Sequence, residues 1–191
     1  MGRTLRVLTG VIVLALIAAW YTRGIGFSSR GTPAPIDTRV MRAARRWATP
    51  ASTRDRVNPA GTSDAILHGA MEHWADHCAG CHGNDGGGHT EMGHGLYPKP
   101  PDMRAAATQA LTDGELFYII EQGVPLTGMP AWGNGTPQGE MASWELVRFI
   151  RRLPTLTAED IAEVQRLTPR SALEIEQDKK IDDFLSGKNT N

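Results

Sequence analysis

The sequence predicts an all-α protein, in which a few short helices form one small domain behind an N-terminal helix long enough to enter a membrane. Three observations predict this class. Apolar residues recur at helical spacing in segments that open with helix-capping residues, and no segment shows the β-branched pattern of a strand. The only strongly apolar run lies near the N-terminus. The only two cysteines, Cys78 and Cys81, belong to a single motif in the middle of the chain.

The N-terminal segment, residues 1–27, is predicted to be a membrane anchor or a signal peptide. Its apolar run covers residues 5–21, and residues 7–21 alone would span about 22 Å as a helix, short of the roughly 30 Å hydrocarbon core. Extension to residues 5–27 closes the gap if Arg6 and Arg23 reach the two interfaces. Because no A-x-A cleavage site follows, we favour an uncleaved single-pass anchor, with a removed signal as the alternative.

Residues 28–61 are predicted to be a basic linker rich in proline and arginine. Within it Asp37 is expected to cap a short helix that continues to Trp47. Outside the apolar side of this helix, arginines occupy most of the surface: Arg39, Arg42, Arg45 and Arg46. Such a helix would bind anionic lipid headgroups or an acidic partner. The alternative is a solvated, partly disordered spacer.

The predicted globular domain covers residues 62–154. Its first helix has three possible N-caps, Thr62, Ser63 and Asp64, and runs to residue 78. A capping box of Thr112 and Glu115 opens a helix over residues 113–122, which Gly123 ends. The last helix is expected over residues 139–153, with Met141, Trp144, Val147 and Ile150 on its apolar face.

A polar C-terminal extension, residues 155–191, is predicted beyond Pro154. Thr157 and Asp160 form a second capping box, for a short helix to Leu167. The charged tail from Pro169 onward is expected to fray, because it offers few apolar residues to bury.

Residues 78–82, CAGCH, carry the chemistry of the chain. Two thiols three positions apart can reach two neighbouring vinyl groups of a haem, while the adjacent imidazole is presented to the iron, and C-x-x-C-H is typical of c-type haem attachment. The sequence therefore predicts one covalently bound haem c, with Cys78 and Cys81 as tethers and His82 as an iron ligand. A domain of this size needs the cofactor to complete its core.

Three other interpretations of this region remain open. A thioredoxin-like redox pair needs a β-α-β context, which is not evident before Cys78. A zinc site needs further ligands, for which the candidates are His68, His73, His77, His89 and His94. The glycine-rich residues 83–88 are expected to form turns, and a phosphate-binding loop is the alternative, although no Lys-Ser/Thr pair follows.

Met129 is the leading candidate for the sixth iron ligand. It lies in an irregular loop between two predicted helices, and Pro130 stiffens its approach. The other candidates are Met92, Met103 and Met141, the last a core residue on a helix face, and His89, His94 or an open site. The second ring nitrogen of His82 is expected to donate a hydrogen bond to the carbonyl of Pro98 or Pro100, which fixes the orientation of the ring.

Charge is distributed unevenly along the chain. Residues 1–60 contain ten arginines against Asp37 and Asp55, whereas residues 61–191 contain ten basic and nineteen acidic residues. An acidic haem-bearing half argues against nucleic acid as a partner. It favours a basic docking surface or a mainly apolar contact.

With CAGCH at residues 78–82 and TGMPAW at residues 127–132, the chain resembles the class I monohaem cytochromes c, particularly bacterial membrane-anchored members with a GMPAW-type motif. Gly69 and Trp74 resemble the glycine and aromatic positions of the family's first helix. Trp144 resembles the aromatic of the last helix, which crosses the first. The resemblance implies the small cytochrome c fold, His82 and Met129 as axial ligands, thioether links at Cys78 and Cys81, and electron transfer through a partly exposed haem edge.

The same resemblance implies that the haem domain faces the periplasm, because bacteria attach c-type haem outside the cytoplasmic membrane. We therefore expect a single-pass, membrane-tethered one-electron carrier of a respiratory chain, which catalyses no reaction itself and exchanges electrons with donor and acceptor proteins. Two alternatives are a haem enzyme or gas sensor with a labile sixth ligand, and an obligate cytochrome subunit of a larger oxidoreductase complex.

Overall fold

The computed structural model describes residues 2–25, 28–170 and 172–187. Within these ranges every regular element is a helix and no strand forms, which confirms the all-α prediction. The helices are α1 (Gly2–Ile25), α2 (Pro35–Ala48), α3 (Ala51–Arg54), α4 (Asp64–His77), α5 (Ala79–His82), α6 (Glu91–His94), α7 (Ala106–Gln109), α8 (Asp113–Gln122), α9 (Pro137–Arg152), α10 (Ala158–Leu167) and α11 (Ala172–Leu185), with a 3-10 turn at Leu153–Thr155.

Helix α1 contains an apolar stretch, Thr4–Gly24, that is long enough to cross a membrane. None of this stretch is buried against the rest of the chain. Length and composition therefore agree with an anchor, and equally with a signal segment near the N-terminus. The expected extension through Phe27 includes Gly26 and Phe27, which lie outside the described residues.

Helices α4 and α9 pack against each other and form the centre of the domain. Trp74 of α4 and Trp144, Val147 and Phe149 of α9 are almost completely buried. The Trp144 ring stacks on Phe117 of α8, with 4.1 Å between ring centroids. The expectation for Met141 is wrong: its side chain is 41% exposed, because it lies on the outer side of α9.

The predicted caps are present at three helix starts. Ser63 Oγ accepts a hydrogen bond from the Ile66 N–H at the start of α4. The capping boxes of Thr112 with Glu115 and of Thr157 with Asp160 open α8 and α10. Helix α9 begins two residues earlier than expected, at Pro137, because Thr136 is its N-cap and proline is favoured in the first turn.

Helix α2 forms in the linker but is capped differently from the prediction. Its N-cap is Ala34, and Asp37 lies in the first turn, where its carboxylate accepts a hydrogen bond from the Ala34 N–H. Pro35 at the first helical position sets the start, since its ring fixes a helical φ and its missing N–H has no helical partner to lose.

The C-terminal part of the linker, residues 49–61, packs on the domain. Thr49, Asn58 and Ala60 are buried, and the Asn58 side-chain amide donates to the Trp144 carbonyl. The Arg148 guanidinium donates to the carbonyls of Asn58 and Ala60. This segment is thereby joined to α9.

Replacement of Arg148 with methionine is expected to destabilise the protein by about 1–3 kcal/mol, because it leaves carbonyls of a packed segment without a donor. Denaturant unfolding of the haem-loaded protein measures the change. Arg152→Met is the matched control, since Arg152 lies one turn further along α9 with an exposed side chain. An equal effect of both substitutions would contradict the assigned role of Arg148.

The C-terminal extension is helical where it is described. Helix α10 packs on α4, and its Val164 is fully buried. The tail, expected to fray, instead forms α11 (Ala172–Leu185). Ser171 and residues 188–191 of this extension lie outside the described residues.

Candidate functional site

A large cavity lies between the CAGCH segment and α8. It contains roughly 1120 Å³ of space between atoms, part of it open to solvent. Its walls are mainly apolar, and include Leu96, Leu111, Leu116, Ile119, Ile120 and Ile150.

The CAGCH motif forms one wall of this cavity. Cys78 ends α4, and α5 is a single turn in which the N–H groups of Cys81 and His82 donate to the Cys78 carbonyl. Cys78, Cys81 and His82 all line the cavity. Trp74 supports this wall from behind, because its indole N–H donates to the Gly83 carbonyl and its ring centroid lies 5.8 Å from that of His82.

The imidazole of His82 is suited to bind a metal. Burial lowers its pKa to about 4, so the ring is neutral at pH 7 and retains a lone pair. The expected hydrogen bond from its second nitrogen is not made: Nδ1 is buried and has no partner among the described residues. The Pro100 carbonyl lies instead against Gly88, whose N–H donates to the His82 carbonyl.

The two cysteines are half-buried free thiols. Burial, together with the neighbouring Cys81, raises the pKa of Cys78 to about 12, which keeps the thiol protonated. Thiolate-based redox chemistry and zinc binding both need the deprotonated form. Among the residues that the structure describes, no three His, Cys, Asp or Glu side chains are grouped to hold a metal ion. The thioredoxin and zinc interpretations therefore gain no support.

The glycine-rich loop forms turns, as expected, with positive φ at Gly83, Gly86 and Gly88. The carboxylate of Asp85 accepts the Gly87 N–H and pairs with Arg104 at 2.6 Å. An acidic side chain of the chain itself thus occupies the position that a phosphate would need, which argues against the phosphate-loop alternative.

Met129 lies on a loop that is fixed to the end of α8. Its carbonyl accepts from the Val124 N–H, and its own N–H donates to Thr127 Oγ1. Gly123 allows this close approach: a Cβ there would lie 2.7 Å from the Met129 carbonyl oxygen. The half-buried Met129 side chain lines the same cavity as His82.

The other candidate ligands differ in their positions. Met103 also lines the cavity. Met92 is 62% exposed, with its sulfur 3.3 Å from Cys81 Sγ, and it does not line the cavity. Among the described residues, the cavity wall also leaves out Met141, His89 and His94. Of the candidate ligands, Met129 and Met103 therefore line the same cavity as His82.

The sequence-based interpretation gave three residues of the site no role at the haem. Trp132 stacks on His77, with 5.2 Å between centroids, and both line the cavity. Arg42 and Arg45 of α2 line it as well. In the sequence, Arg42 and Arg45 are recognisable only as part of the arginine cluster of the linker. The position of this cluster beside residues 78–82 depends on tertiary structure.

These residues fit a haem. The cavity offers apolar walls for a macrocycle, two thiols on one side for its vinyl groups, and the neutral imidazole of His82 for its iron. A bound haem supplies the one-electron iron couple. The chain supplies candidate ligands, and its apolar walls exclude water and lower the local dielectric.

The chain matches the model of the family described as cytochrome C oxidase, cbb3-type, subunit III, over residues 49–150. A comparison with curated proteins gives no match. The matched region is more than half of the chain and includes α4, α5, α8 and the whole CAGCH wall, so both the sequence match and the cavity indicate a haem-binding electron-transfer cytochrome. The chain belongs to the cbb3-type subunit III family of c-type cytochromes.

Proposed function

We propose that the protein is a membrane-tethered periplasmic carrier of single electrons, with one haem c bound covalently through Cys78 and Cys81. His82 and Met129 are its axial iron ligands. The observation that carries this proposal is that one apolar cavity is lined by all four of these residues, from two separate parts of the chain.

Each of these residues has a distinct role. The thioether bonds keep the haem in place through many redox cycles, and the neutral imidazole of His82 donates its lone pair to the iron. The thioether of Met129 raises the reduction potential relative to a second histidine and occupies the position that a small molecule would need. The protein itself therefore performs electron transfer and no bond chemistry.

The proposed location follows from α1 and from haem attachment. Helix α1 anchors the chain in the cytoplasmic membrane, and the rest of the chain faces the periplasm, where c-type haem is joined to protein. The partners are then a respiratory electron donor and an acceptor such as a terminal oxidase.

Optical spectra of the purified protein, oxidised and reduced, with and without carbon monoxide, test the proposal. We expect a c-type reduced spectrum, a methionine-to-iron charge-transfer band in the oxidised protein, and no response to carbon monoxide. Carbon monoxide binding with c-type bands would favour the enzyme or sensor alternative. The absence of a haem spectrum, from a host able to attach c-type haem, would contradict haem binding itself.

Cys78→Ser is expected to weaken covalent attachment, since only one thioether bond can form. The position of the α band of the pyridine haemochrome measures this, because a vinyl group without a thioether bond shifts the band to longer wavelength. Gly80→Ala is a matched control inside the motif, because a Cβ on Gly80 meets nothing within 4 Å. Unchanged attachment in Cys78→Ser would contradict the assignment of Cys78.

A second candidate function is that of a cytochrome subunit in a larger oxidase complex. The family description, which names a subunit of an oxidase, favours it. The two functions differ in the state of the protein after mild detergent extraction from its own membrane. A free carrier would be recovered as a monomer, whereas a subunit would co-purify with oxidase partners in fixed ratio.

A further inference from the structure

Helix α2 presents its arginines to the domain. Arg42 and Arg45 are three positions apart on one side of the helix, and both line the haem cavity. Arg46 lies beside them, with its Nε 3.3 Å from a carboxylate oxygen of the buried Glu115 in α8. Three arginines of α2 thus lie beside the domain, with Arg45 half-buried and Arg42 and Arg46 exposed.

The apolar side of α2 is exposed to the outside. Ile36, Val40 and Trp47 are more than half exposed, and Trp47 reaches 89%. An amphipathic helix on a protein surface normally buries its apolar side. The opposite orientation of α2 means that its position depends on charge rather than on apolar burial, and therefore on the negative groups that its arginines meet.

The protein supplies few such groups. Glu115 is the carboxylate that faces this cluster, against the three guanidinium groups of Arg42, Arg45 and Arg46. Burial and the neighbouring Arg42 lower the pKa of Arg45, and Glu115 only partly offsets this. In the described cavity wall the charged side chains at neutral pH are the cations Arg42, Arg45 and Lys99, with no aspartate or glutamate.

We propose that Arg42 and Arg45 bind the two propionate carboxylates of the haem, so that α2 covers the edge of the cavity. This inference rests on the proposed function, since it requires a haem in this cavity. A haem carries both carboxylates on one edge, and a guanidinium group matches a carboxylate in shape and charge. Arg42 and Arg45 precede the family match, which begins at residue 49, so they are a feature of the linker of this chain.

Two measurable properties follow. Cations beside the haem disfavour the additional positive charge of ferric iron, so the two arginines raise the reduction potential. The two propionate carboxylates also pair with arginines of α2 that have few carboxylate partners in the protein. The helix is therefore held on the domain when haem is present.

The test compares two double variants of the full-length, haem-loaded protein in detergent. Arg42→Gln with Arg45→Gln removes the proposed contacts. Arg30→Gln with Arg39→Gln removes the same charge from the linker at exposed positions that do not line the described cavity. Redox titration gives the midpoint potential, and hydrogen–deuterium exchange reports the protection of residues 35–48.

For Arg42→Gln with Arg45→Gln we expect about a tenfold shift of the Fe(III)/Fe(II) equilibrium toward Fe(III), which is a fall of about 59 mV for one electron. We also expect faster exchange over residues 35–48. The control pair should shift the potential by much less and leave the exchange unchanged.

Several results would overturn the inference. Equal shifts in both pairs would show a general charge effect, and an unchanged potential in the Arg42 and Arg45 pair would show that these residues do not contact the haem edge. A larger shift in Lys99→Gln would assign the carboxylates to Lys99. If the parent protein has a normal c-type spectrum, these results overturn this inference alone, whereas a parent protein without that spectrum overturns the proposed function as well.

Discussion

Met129→Ala is expected to leave the haem covalently attached but to lower its reduction potential strongly. Axial ligands set haem potentials over about 0.8 V, and loss of the thioether removes the ligand that raises the potential in a His/Met site. The iron should then bind carbon monoxide. The charge-transfer band of methionine-ligated ferric haem should disappear. Redox titration and optical spectra measure these three changes.

The decisive comparison is with Met103→Ala, because Met103 is the other candidate methionine on the cavity wall. It packs against the hydrophobic core, so its loss should affect stability more than iron ligation. Met141→Ala serves as a surface control, since Met141 is 41% exposed. If Met103→Ala opens the iron while Met129→Ala keeps the parent spectrum, the two assignments must be exchanged.

The sequence was sufficient for the parts of the fold that local chemistry determines. Helix starts at Ser63, Thr112 and Thr157 depend on a side-chain oxygen and the N–H groups that follow it within one turn, and all three were predicted. The burial of Trp74 and Trp144 followed from helical spacing together with the resemblance to the cytochrome family.

Features that depend on distant contacts could not be predicted. The burial of Asn58 requires Trp144 and Arg148 of α9, 86 and 90 positions away, and nothing near Asn58 indicates it. Met141 follows the apolar spacing of α9 but lies where no other element covers it. Helical spacing describes one face of a helix, and only the packed structure determines how wide the covered part of that face is.

The functional site also combines residues that local sequence identifies with residues that only distant contacts bring together. The C-x-x-C-H spacing identifies its own residues because the attachment chemistry is local. The stacking of Trp132 on His77 and the position of Arg42 and Arg45 at the cavity join segments that are far apart in the chain. A basic helix in a linker resembles a lipid-binding or spacer segment until its contacts are known.

Gly88→Ala is expected to destabilise the folded protein by about 3 kcal/mol. The residue has a φ of 76°, where an L-amino acid is strained by roughly 1–2 kcal/mol. An added Cβ would also lie 2.6 Å from the Pro100 carbonyl oxygen and 3.3 Å from that of Pro101. These are backbone atoms that cannot rotate away, and overpacking of this kind costs about 1–3 kcal/mol more. Denaturant unfolding of the haem-loaded protein measures the loss.

Gly69→Ala is the matched control for this substitution. Gly69 is an exposed residue inside α4, and a Cβ there meets nothing within 4 Å, so alanine should be neutral or stabilise the helix by up to about 1 kcal/mol. Opposite signs for the two variants would show that the contact between Gly88 and Pro100 is part of the folded state. Because Pro100 and Pro101 line the haem cavity and Gly88 is bonded to the His82 carbonyl, Gly88→Ala should also perturb the haem spectrum. If Gly88→Ala loses the predicted stability but keeps an unaltered haem spectrum, the proline segment and the iron ligand are structurally independent.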